Sequence, residues 1–322
     1  MRRSTRAPRE EARAADNQGR LVALMKRLTP NEGYTLTALP EVRLFRSDQS
    51  LTSTPALYEP GIVIVCQGRK RGFWADRFYL YDDQHYLAVS IPVPFTMEID
   101  ASSSAPLLAI YLTLNLPMLA SIALELDELS LPSPTDPCGM VSTPMDSQMA
   151  QVVLRLLEAM SSPVECRVLG PSLVREIYFR VLTGAQGPSL RAALASYGKF
   201  GKIAKSVRHI HTAFQERLSV ERLASEAAMS VQTFHAHFKA VTDTTPTQYL
   251  KSVRLHQARL LMLRSDKTAA TACVEVGYQS ASQFSREFKR FFGRSPGQEI
   301  ARLRSSFAMP ESAGKPVWVA SH

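Results

Sequence analysis

The strongest constraint on the fold of this chain is a pattern in its C-terminal third that recurs after fifty residues. The two copies share six residues in one register: Ser230, Phe234, Phe238, Lys239, Pro246 and Gln248 in the first, and Ser280, Phe284, Phe288, Lys289, Pro296 and Gln298 in the second. Self-similarity at a fixed interval indicates a duplicated supersecondary unit. This part of the chain is therefore expected to build the same small motif twice.

Each copy has the pattern of a helix-turn-helix. Two phenylalanines four residues apart give one helix an apolar face, while the opposite face is polar and small. A serine stands directly before that helix, where its hydroxyl can accept a hydrogen bond from a free backbone N–H. A second amphipathic segment precedes it, at 220–228 in the first copy and at 269–276 in the second. Residues 246–264 contain nothing that breaks a helix, so we expect one long helix to join the two units.

Positive charge is concentrated in the same region. Residues 199–304 contain 18 Lys and Arg against 8 Asp and Glu, whereas the rest of the chain contains 20 against 21. The net charge of +9 therefore comes from the segment with the repeat. A basic surface confined to one domain is typical of DNA-binding proteins, because Lys and Arg release counterions from phosphate.

The residues of the two copies resemble the AraC/XylS family of transcription regulators. The segments 220–262 (VERLASEAAMSVQTFHAHFKAVTDTTPTQYLKSVRLHQARLLM) and 268–300 (TAATACVEVGYQSASQFSREFKRFFGRSPGQEI) are similar to that family's two helix-turn-helix units. The resemblance implies sequence-specific binding to double-stranded promoter DNA, with both recognition helices in successive major-groove segments on one face of the duplex. It also implies RNA polymerase as a partner.

The resemblance assigns DNA contacts residue by residue. Base-reading positions fall at Gln232, His235 and Ala236 in the first unit, and at Ala281, Ser282, Gln283, Ser285 and Arg286 in the second. Phosphate contacts fall at Ser230, Lys239, Ser280, Lys289 and Arg290. Arg286 is the strongest candidate, because arginine can pair bidentately with guanine. Ala236 and Asp243 stand where the family usually has arginine and glycine, so we expect the second unit to carry more of the specificity.

The first half of the chain has the pattern of a small β-sandwich or barrel. Between Thr35 and Leu116, short runs rich in Val, Ile, Leu, Tyr and Phe alternate with Pro, Gly, Asp and Ser, which predicts six or more strands. The segments 57–71, 79–100 and 104–116 resemble the N-terminal domain of one AraC-type subgroup, which is a cupin-like barrel. The expected fold class is α+β with two domains: a cupin-like β domain followed by helices, and an all-α domain of two helix-turn-helix units.

A small effector is expected in the β domain. The candidate pocket residues are Tyr58, Gln67, Trp74, Tyr79, Tyr86, Phe95, Met97 and Tyr111. A catalytic cupin metal centre needs several histidines and this domain has only His85, so we expect no metal, no cofactor and no catalytic residue. The His-x-His pairs at 209–211 and 235–237 are poor metal sites, because residues two apart on a helix point in different directions.

Composition suggests the domain boundaries. The expected parts are a disordered basic arm (1–20), a sensory and dimerisation domain (21–183), a linker (184–201), the DNA-binding domain (202–304) and a flexible tail (305–322). Helical periodicity at 118–129, 145–160 and 171–182 predicts helices after the β domain. The 145–160 helix has apolar residues on both sides, which favours a homodimer through it.

Residues 107–124 carry no charge over eighteen positions, the length of a candidate membrane span. Strand-like alternation within this stretch, followed by Pro117 at a helix start, favours a strand and then a helix instead. The apolar stretch at 21–28 is interrupted by two basic residues, so it lacks the core of a signal peptide. We therefore predict a cytoplasmic protein with no membrane partner.

Two other classes of function stay open beside a one-component transcription regulator. An enzyme or repair protein with a DNA-targeting tail would need a nucleophile in a motif such as Pro-Cys-His-Arg, and the sequence shows none. A nucleoid-type binder without sequence preference would have a steep salt dependence and no preferred site. In the favoured hypothesis, a dimeric β domain senses an effector and repositions the two helix-turn-helix units.

Overall fold

Among the residues that the structure describes, the N-terminal half contains ten strands in two antiparallel sheets. The computed structural model describes residues 7–74, 77–127, 139–184, 187, 190–191, 198–265 and 267–306. The strands are β1 (Gly33–Leu36), β2 (Val42–Ser47), β3 (Leu51–Tyr58), β4 (Gly61–Gln67), β5 (Arg69–Trp74), β6 (Arg77–Asp82), β7 (His85–Val89), β8 (Val93–Asp100), β9 (Leu107–Thr113) and β10 (Met140–Pro144). One sheet has the order β1-β2-β9-β4-β7-β10 and the other the order β3-β8-β5-β6.

The central strands β4 and β9 are buried on both faces, which explains their uninterrupted apolar sequences. Val63 and Tyr111 point into the core between the two sheets. Ile64 and Ile110 point the other way, into a core shared with helices. The uncharged stretch at 107–124 is therefore a doubly buried strand followed by a helix, as predicted. No helix of the described residues is long and apolar enough to cross a membrane.

Helices pack on the outer face of the six-stranded sheet. They are α1 (Ala7–Leu28), α2 (Leu116–Asp127), α3 (Ser147–Met160) and α4 (Pro163–Thr183). The predicted start of the last helix at residue 171 is wrong, since Pro171 lies inside α4. The helix begins earlier because the Ser162 hydroxyl accepts a hydrogen bond from the Glu165 N–H (3.4 Å) and Pro163 occupies the first turn, where proline is tolerated.

The predicted disordered arm is wrong for residues 7–20, because α1 passes through them. The side-chain Nε2 of Gln18 donates to the backbone carbonyl oxygen of Cys66 (2.8 Å). Met25 of the same helix is completely buried. Pro8 does not interrupt the helix because it falls in the first turn. The arginine-rich composition predicts disorder, but the contacts that Gln18 and Met25 make with the β domain stabilise the helix.

The C-terminal half is helical. Its helices are α5 (Gly198–Ala213), α6 (Val220–Glu226), α7 (Val231–Thr242), α8 (Pro246–Arg264), α9 (Ala269–Glu275), α10 (Ala281–Phe292) and α11 (Pro296–Ser306). Helices α6 and α7 form one helix-turn-helix unit, α9 and α10 form the other, and α8 joins them, which confirms the predicted fold class. Most of the predicted linker 184–201, and the predicted tail beyond residue 306, lie outside the described residues.

The two units repeat each other in backbone conformation as well as in sequence. Left-handed residues occur at two corresponding places: Ala228 (φ 50°) and Asp243 (φ 48°) in the first unit, and Gly277 (φ 86°) and Gly293 (φ 76°) in the second. Glycine adopts this conformation freely, whereas a residue with a Cβ atom is strained by about 1–2 kcal/mol. The first unit therefore makes the same turns with less suitable residues.

The β domain packs directly on the first helix-turn-helix unit, and both contribute to one hydrophobic core. Tyr249 of α8 donates its hydroxyl to the carbonyl oxygen of Pro92, which lies between β7 and β8. The Nε2 atom of His211 lies 2.9 Å from the same hydroxyl. Arg77 and Asp243 form an ion pair at 3.4 Å across the same boundary. The second unit has a separate core of its own.

Candidate DNA-binding site

The two recognition helices, α7 and α10, begin in the same way. The hydroxyl of Ser230 accepts a hydrogen bond from the N–H of Thr233 (3.2 Å), and the hydroxyl of Ser280 accepts one from the N–H of Gln283 (3.3 Å). A capped first turn gives the polar residues that follow it a fixed position on the helix. The part of both serines in phosphate binding stays a prediction.

The phenylalanines determine which face of each recognition helix points outward. Phe234 and Phe238 are fully buried, and so are Phe284 and Phe288. The ring centroids are 5.5 Å apart in both pairs. Because this apolar side faces the core, the opposite side of each helix is presented to solvent. The two units therefore expose equivalent surfaces.

The predicted base-reading residues lie on these outward faces. Gln232, Ala236, Ala281, Ser282, Gln283, Ser285 and Arg286 are exposed, and His235 is half-buried. The predicted phosphate-binding cations Lys239, Lys289 and Arg290 are exposed beside them. The structure thus gathers each set on one helix surface, and the contacts themselves stay predictions.

Arg286 is held along its helix with part of its guanidinium group available. Its Nε donates to the carbonyl oxygen of Ser282 at 3.3 Å. Its two terminal nitrogens make no hydrogen bond to other described residues. These nitrogens are the donors that a bidentate contact with guanine O6 and N7 requires.

Glu287, which no sequence motif singles out, organises the second recognition surface. Its Oε1 accepts hydrogen bonds from Lys251 Nζ (2.9 Å) and Gln283 Nε2 (3.1 Å), and its Oε2 accepts one from the Tyr278 hydroxyl (2.8 Å). Burial by itself would raise the pKa of Glu287, but these hydrogen bonds outweigh it and hold the pKa below the ordinary value. The spacing of Gln283 and Glu287 by four residues was the only sequence signal.

A cleft of about 370 Å³ lies between the two helix-turn-helix units. Three cations line it, Arg217, Lys251 and Arg254, and none of its lining residues is acidic. Arg254 has a structural role, because it donates to the carbonyl oxygens of Phe214 (2.7 Å) and Glu216 (2.8 Å). Because Lys251 is paired with Glu287, the positive charge of this recess comes from Arg217 and Arg254.

A buried ion pair joins α8 to α11 behind the second recognition helix. Arg259 Nη1 lies 3.5 Å from Glu299 Oε1, and Arg302 donates to the same carboxylate at 3.1 Å. Burial lowers the pKa of Arg259 to about 10, against the opposing effect of Glu299. Burial and the neighbouring Arg259 also hold the pKa of His256 well below its ordinary value. These buried charges hold α8 against α11 and do not lie on the outward face of the recognition helix.

The two histidines of the 209–211 pair contact different partners. His209 Nδ1 lies 2.6 Å from a carboxylate oxygen of Glu226, and His211 contacts Tyr249. Among the residues that the structure describes, no three side chains of the kinds that bind metals lie together.

The predicted effector residues do not form one group. Tyr58, Tyr79, Phe95, Met97 and Tyr111 lie in the core between the two sheets. Tyr86 lies on the opposite side of the six-stranded sheet, in the core shared with helices, so its assignment to the same pocket is wrong. Gln67 is half-buried and donates to the carbonyl oxygen of Pro106 (2.7 Å). The side chain of Trp74 lies outside the described residues.

A buried lysine, which sequence reasoning missed, lies at the centre of the first group. Lys70 is 1% exposed and donates to the hydroxyls of Tyr58 (2.8 Å) and Tyr111 (2.6 Å). The rings of Phe45, Tyr58, Tyr81 and Tyr111 lie 5.3–5.7 Å from its Nζ. No carboxylate of the described residues lies within ion-pair distance of it. An ammonium buried without a counter-ion costs several kcal/mol, so this is an unusual core residue.

A β domain with a polar centre, packed on the first of two capped and basic helix-turn-helix units, defines a two-domain protein with a helical domain of the DNA-binding type. Residues 38–189 match the family described as the AraC-type transcriptional regulator N-terminus, and residues 223–302 match a helix-turn-helix domain. The chain belongs to the AraC-type transcriptional regulators.

Curated relatives agree with this assignment over part of their length. The transcriptional activator RhaS of Escherichia fergusonii is 37% identical over 93 residues, which cover 29% of this chain and 33% of that protein. RhaS of Klebsiella pneumoniae is 28% identical over 149 residues, which cover 46% of this chain and 52% of that protein. The chain thus spans about a third of the length of the first of these relatives and about half of the second.

Solved structures show the same two-domain fold at low sequence identity. ToxT from Vibrio cholerae, in a crystal structure with a bound unsaturated fatty acid, superposes with a TM-score of 0.54 at 10% identity. The superposition covers 84% of this chain and 95% of that chain. At this identity the likeness concerns the fold alone.

Proposed function

We propose that this protein regulates transcription by reading two adjacent major-groove segments of promoter DNA, one with each helix-turn-helix unit. The observation that carries the proposal is the repeated geometry of α7 and α10, which share the capping serine, the buried phenylalanine pair and the outward polar face. Helix α8 has 19 residues and is about 28 Å long at 1.5 Å per residue. That length is comparable to one turn of B-DNA, about 34 Å, so one face of the duplex can receive both units.

Cations around the two faces supply affinity that does not depend on sequence. Lys239, Lys289 and Arg290 are exposed at the margins of the recognition helices. Arg217 lines the cleft between the units. In the proposed complex, the phosphate backbone would cross this cleft between the two major-groove segments. Each phosphate contact releases a counterion, so binding weakens as salt rises.

Footprinting on the DNA upstream of the protein's own gene and of neighbouring genes tests this function. We expect protection of two major-groove segments about 10 bp apart for each subunit. Transcription in vitro with purified RNA polymerase should change only on promoters that contain the footprint. Uniform binding to all DNA with a steep salt dependence would instead identify a nonspecific nucleoid binder. The relatives are regulators, and no enzymatic activity forms part of the proposal.

The β domain is proposed to bind a small effector with an anionic group. Lys70 supplies a positive charge inside the sheet core, and Tyr58, Phe95 and Tyr111 supply aromatic surfaces around it. A carboxylate placed there would compensate the buried ammonium. ToxT has the same fold and binds an unsaturated fatty acid, which carries such a group. Thermal unfolding with a panel of small carboxylates and their uncharged amides tests this: stabilisation by the acids alone, lost in Lys70→Met, is the expected result.

An effector controls DNA binding only if it binds one arrangement of the two domains better than another. The contact of Tyr249 with Pro92 and the ion pair of Arg77 with Asp243 connect the β domain to the first unit. We propose that these contacts transmit the presence of the effector to α8.

We propose a homodimer, through α2 and α4 rather than through α3. The apolar residues of α3 are covered by α1 and α4 within the same chain. Val164, Val168 and Leu124 are instead 73%, 67% and 67% exposed. Sedimentation of Val168→Asp should show monomers where the wild type shows dimers, and Leu36→Asp, at an exposed position on β1, should leave the dimer intact.

A further inference from the structure

We propose that Glu287 fixes the side-chain amide of Gln283 in one orientation and thereby directs the second helix-turn-helix unit to an adenine. The inference rests on the proposed reading of DNA by α10 and adds the identity of a base. It assigns Gln283 as a specificity-determining residue and Glu287 as the residue that positions it.

The orientation follows from the chemistry of the two groups. An amide on a helix surface can normally exchange its oxygen and nitrogen by a half-turn about its last torsion. An ionised carboxylate has acceptor atoms only. Gln283 therefore has to direct its Nε2 toward Glu287, where the distance to Oε1 is 3.1 Å. The reverse orientation would bring two oxygens together.

Glu287 is itself fixed by residues outside α10. Lys251 reaches it from the joining helix α8 at 2.9 Å, and Tyr278 reaches it from the turn before α10 at 2.8 Å. The carboxylate is 14% exposed, and its lowered pKa keeps it ionised at neutral pH. Lys251 offsets its negative charge, so an acid can lie next to the DNA surface without repelling it. The amide of Gln283 is thus positioned before DNA arrives.

An amide held in this way presents one acceptor and one donor to the major groove. Its oxygen can accept from adenine N6, and its second N–H can donate to adenine N7. Guanine offers two acceptors, so the amide oxygen would lack a partner there. Thymine and cytosine each offer only one matching group. Adenine is therefore the base that satisfies the fixed amide completely.

The first unit provides an internal control. Thr233 and His237 occupy the positions that correspond to Gln283 and Glu287. The first unit therefore lacks this amide and carboxylate pair, and its base preferences should not respond to changes in the second.

The test is a competition assay on a footprinted site in which every base pair of the second segment is replaced by each alternative. For the wild-type protein we expect one position at which adenine is preferred to guanine by about tenfold. Gln283→Ala should lose the preference at that position alone. Glu287→Gln, whose amide can accept or donate, should reduce it to about threefold or less and improve binding to guanine. Lys251→Met removes the ion pair but leaves the Gln283 contact, so it should keep the adenine preference.

A modified base gives a second measurement. Replacing the preferred adenine with 7-deazaadenine removes N7, and should weaken wild-type binding by about tenfold without affecting Gln283→Ala. Unchanged melting temperatures and unchanged preferences in the first segment would show that the variants are folded. An unaltered adenine preference in Glu287→Gln, or a preferred base other than adenine at the position lost in Gln283→Ala, would overturn the proposal. Absence of any base preference in the wild type would overturn the proposed function itself.

Discussion

The hydroxyl of Tyr249 donates to the carbonyl oxygen of Pro92, so the helix that joins the two helix-turn-helix units is bonded directly to the β domain. A carbonyl oxygen can only accept, which leaves the phenol oxygen free to accept in turn from His211 Nε2. The three residues therefore form a directed chain of hydrogen bonds from α5 through α8 to the sheet. The turn before β8 is thus bonded to α8, the helix that joins the two recognition units.

Tyr249→Phe should weaken the contact between the domains. The substitution keeps the buried ring but leaves the buried Pro92 carbonyl oxygen without this donor, which costs about 1–3 kcal/mol. Urea unfolding followed by tryptophan fluorescence should report the loss. Tyr178→Phe is a matched control, because it removes a hydroxyl bond to Thr113 within the β domain. A change in effector response that appears with Tyr249→Phe and not with Tyr178→Phe would locate the coupling at Pro92.

Stability should fall as the pH falls from about 6.5 toward 4. Burial lowers the pKa of His211 from 6.5 to about 4, so in this window the unfolded chain binds a proton that the folded chain excludes. The neutral imidazole of His211 therefore makes its full contribution to the free energy of unfolding above pH 6.5, the pKa of histidine in the unfolded chain. Up to about 1–3 kcal/mol of that free energy is lost as the pH falls toward 4. Unfolding free energies measured across this range, for the wild type and for His211→Gln, check the effect.

His211→Gln keeps a side-chain donor for Tyr249 but does not titrate. Its stability should therefore depend less on pH than that of the wild type. Part of the dependence should remain, because the pKa of buried His256 is lowered as well. Identical pH profiles for the two proteins would contradict the role given to His211.

Arg286 and Lys289 should have distinguishable effects on DNA binding. Arg286→Ala should weaken binding to the specific site by about 1–3 kcal/mol and barely change binding to random DNA. Lys289→Ala should weaken both and reduce the slope of log K against log salt by about one. Titrations on both kinds of DNA at several salt concentrations measure the two effects. Equal losses on specific and random DNA for Arg286→Ala would show that it does not read bases.

The left-handed residue of the turn is alanine in the first unit (Ala228) and glycine in the second (Gly277). Exchanging alanine and glycine at these two positions should therefore change the stability in opposite directions. Ala228→Gly should stabilise the protein by about 0.5–1 kcal/mol, because relief of left-handed strain exceeds the entropy added to the unfolded chain. Gly277→Ala should destabilise it by more than about 2 kcal/mol, because a Cβ atom there would lie 2.5 Å from the carbonyl oxygen of Gln215. Thermal denaturation of both variants provides the comparison, and a shift in the same direction for both would contradict it.

The repeat, the capped helices and the outward faces were predictable because they depend on spacing within short segments. The phenylalanine pairs at 234 and 238, and at 284 and 288, fix the buried side of each helix without reference to the rest of the chain. Strand pairing was not predictable in the same way. Tyr86 and Tyr111 both lie in apolar strands, and only the sheet order places them on opposite sides of the same sheet.

Contacts made over long distances in the chain account for the missed residues. In the sequence, Lys70 is the middle one of three successive basic residues in a strand. Its hydrogen-bond partner in the core, Tyr111, is forty-one positions away. The link from Lys251 to Glu287 spans thirty-six positions. The N-terminal, polar part of α1 is likewise held by a distant contact, the hydrogen bond from Gln18 to Cys66 in β4. Local patterns cannot reveal such contacts, because each partner is ordinary in its own segment.

In the proposed mode of DNA binding, the continuous helix α8 between the two units limits how a binding site can change over evolutionary time. Substitution of a base pair within either segment removes one contact, so its effect on regulation is graded. Insertion or deletion of a few base pairs between the segments rotates one of them around the duplex, by about 34° per base pair in a helix of 10.5 bp per turn. A continuous helix cannot follow that rotation. If the proposal holds, base pairs within the two segments are therefore free to drift while the distance between the segments is kept.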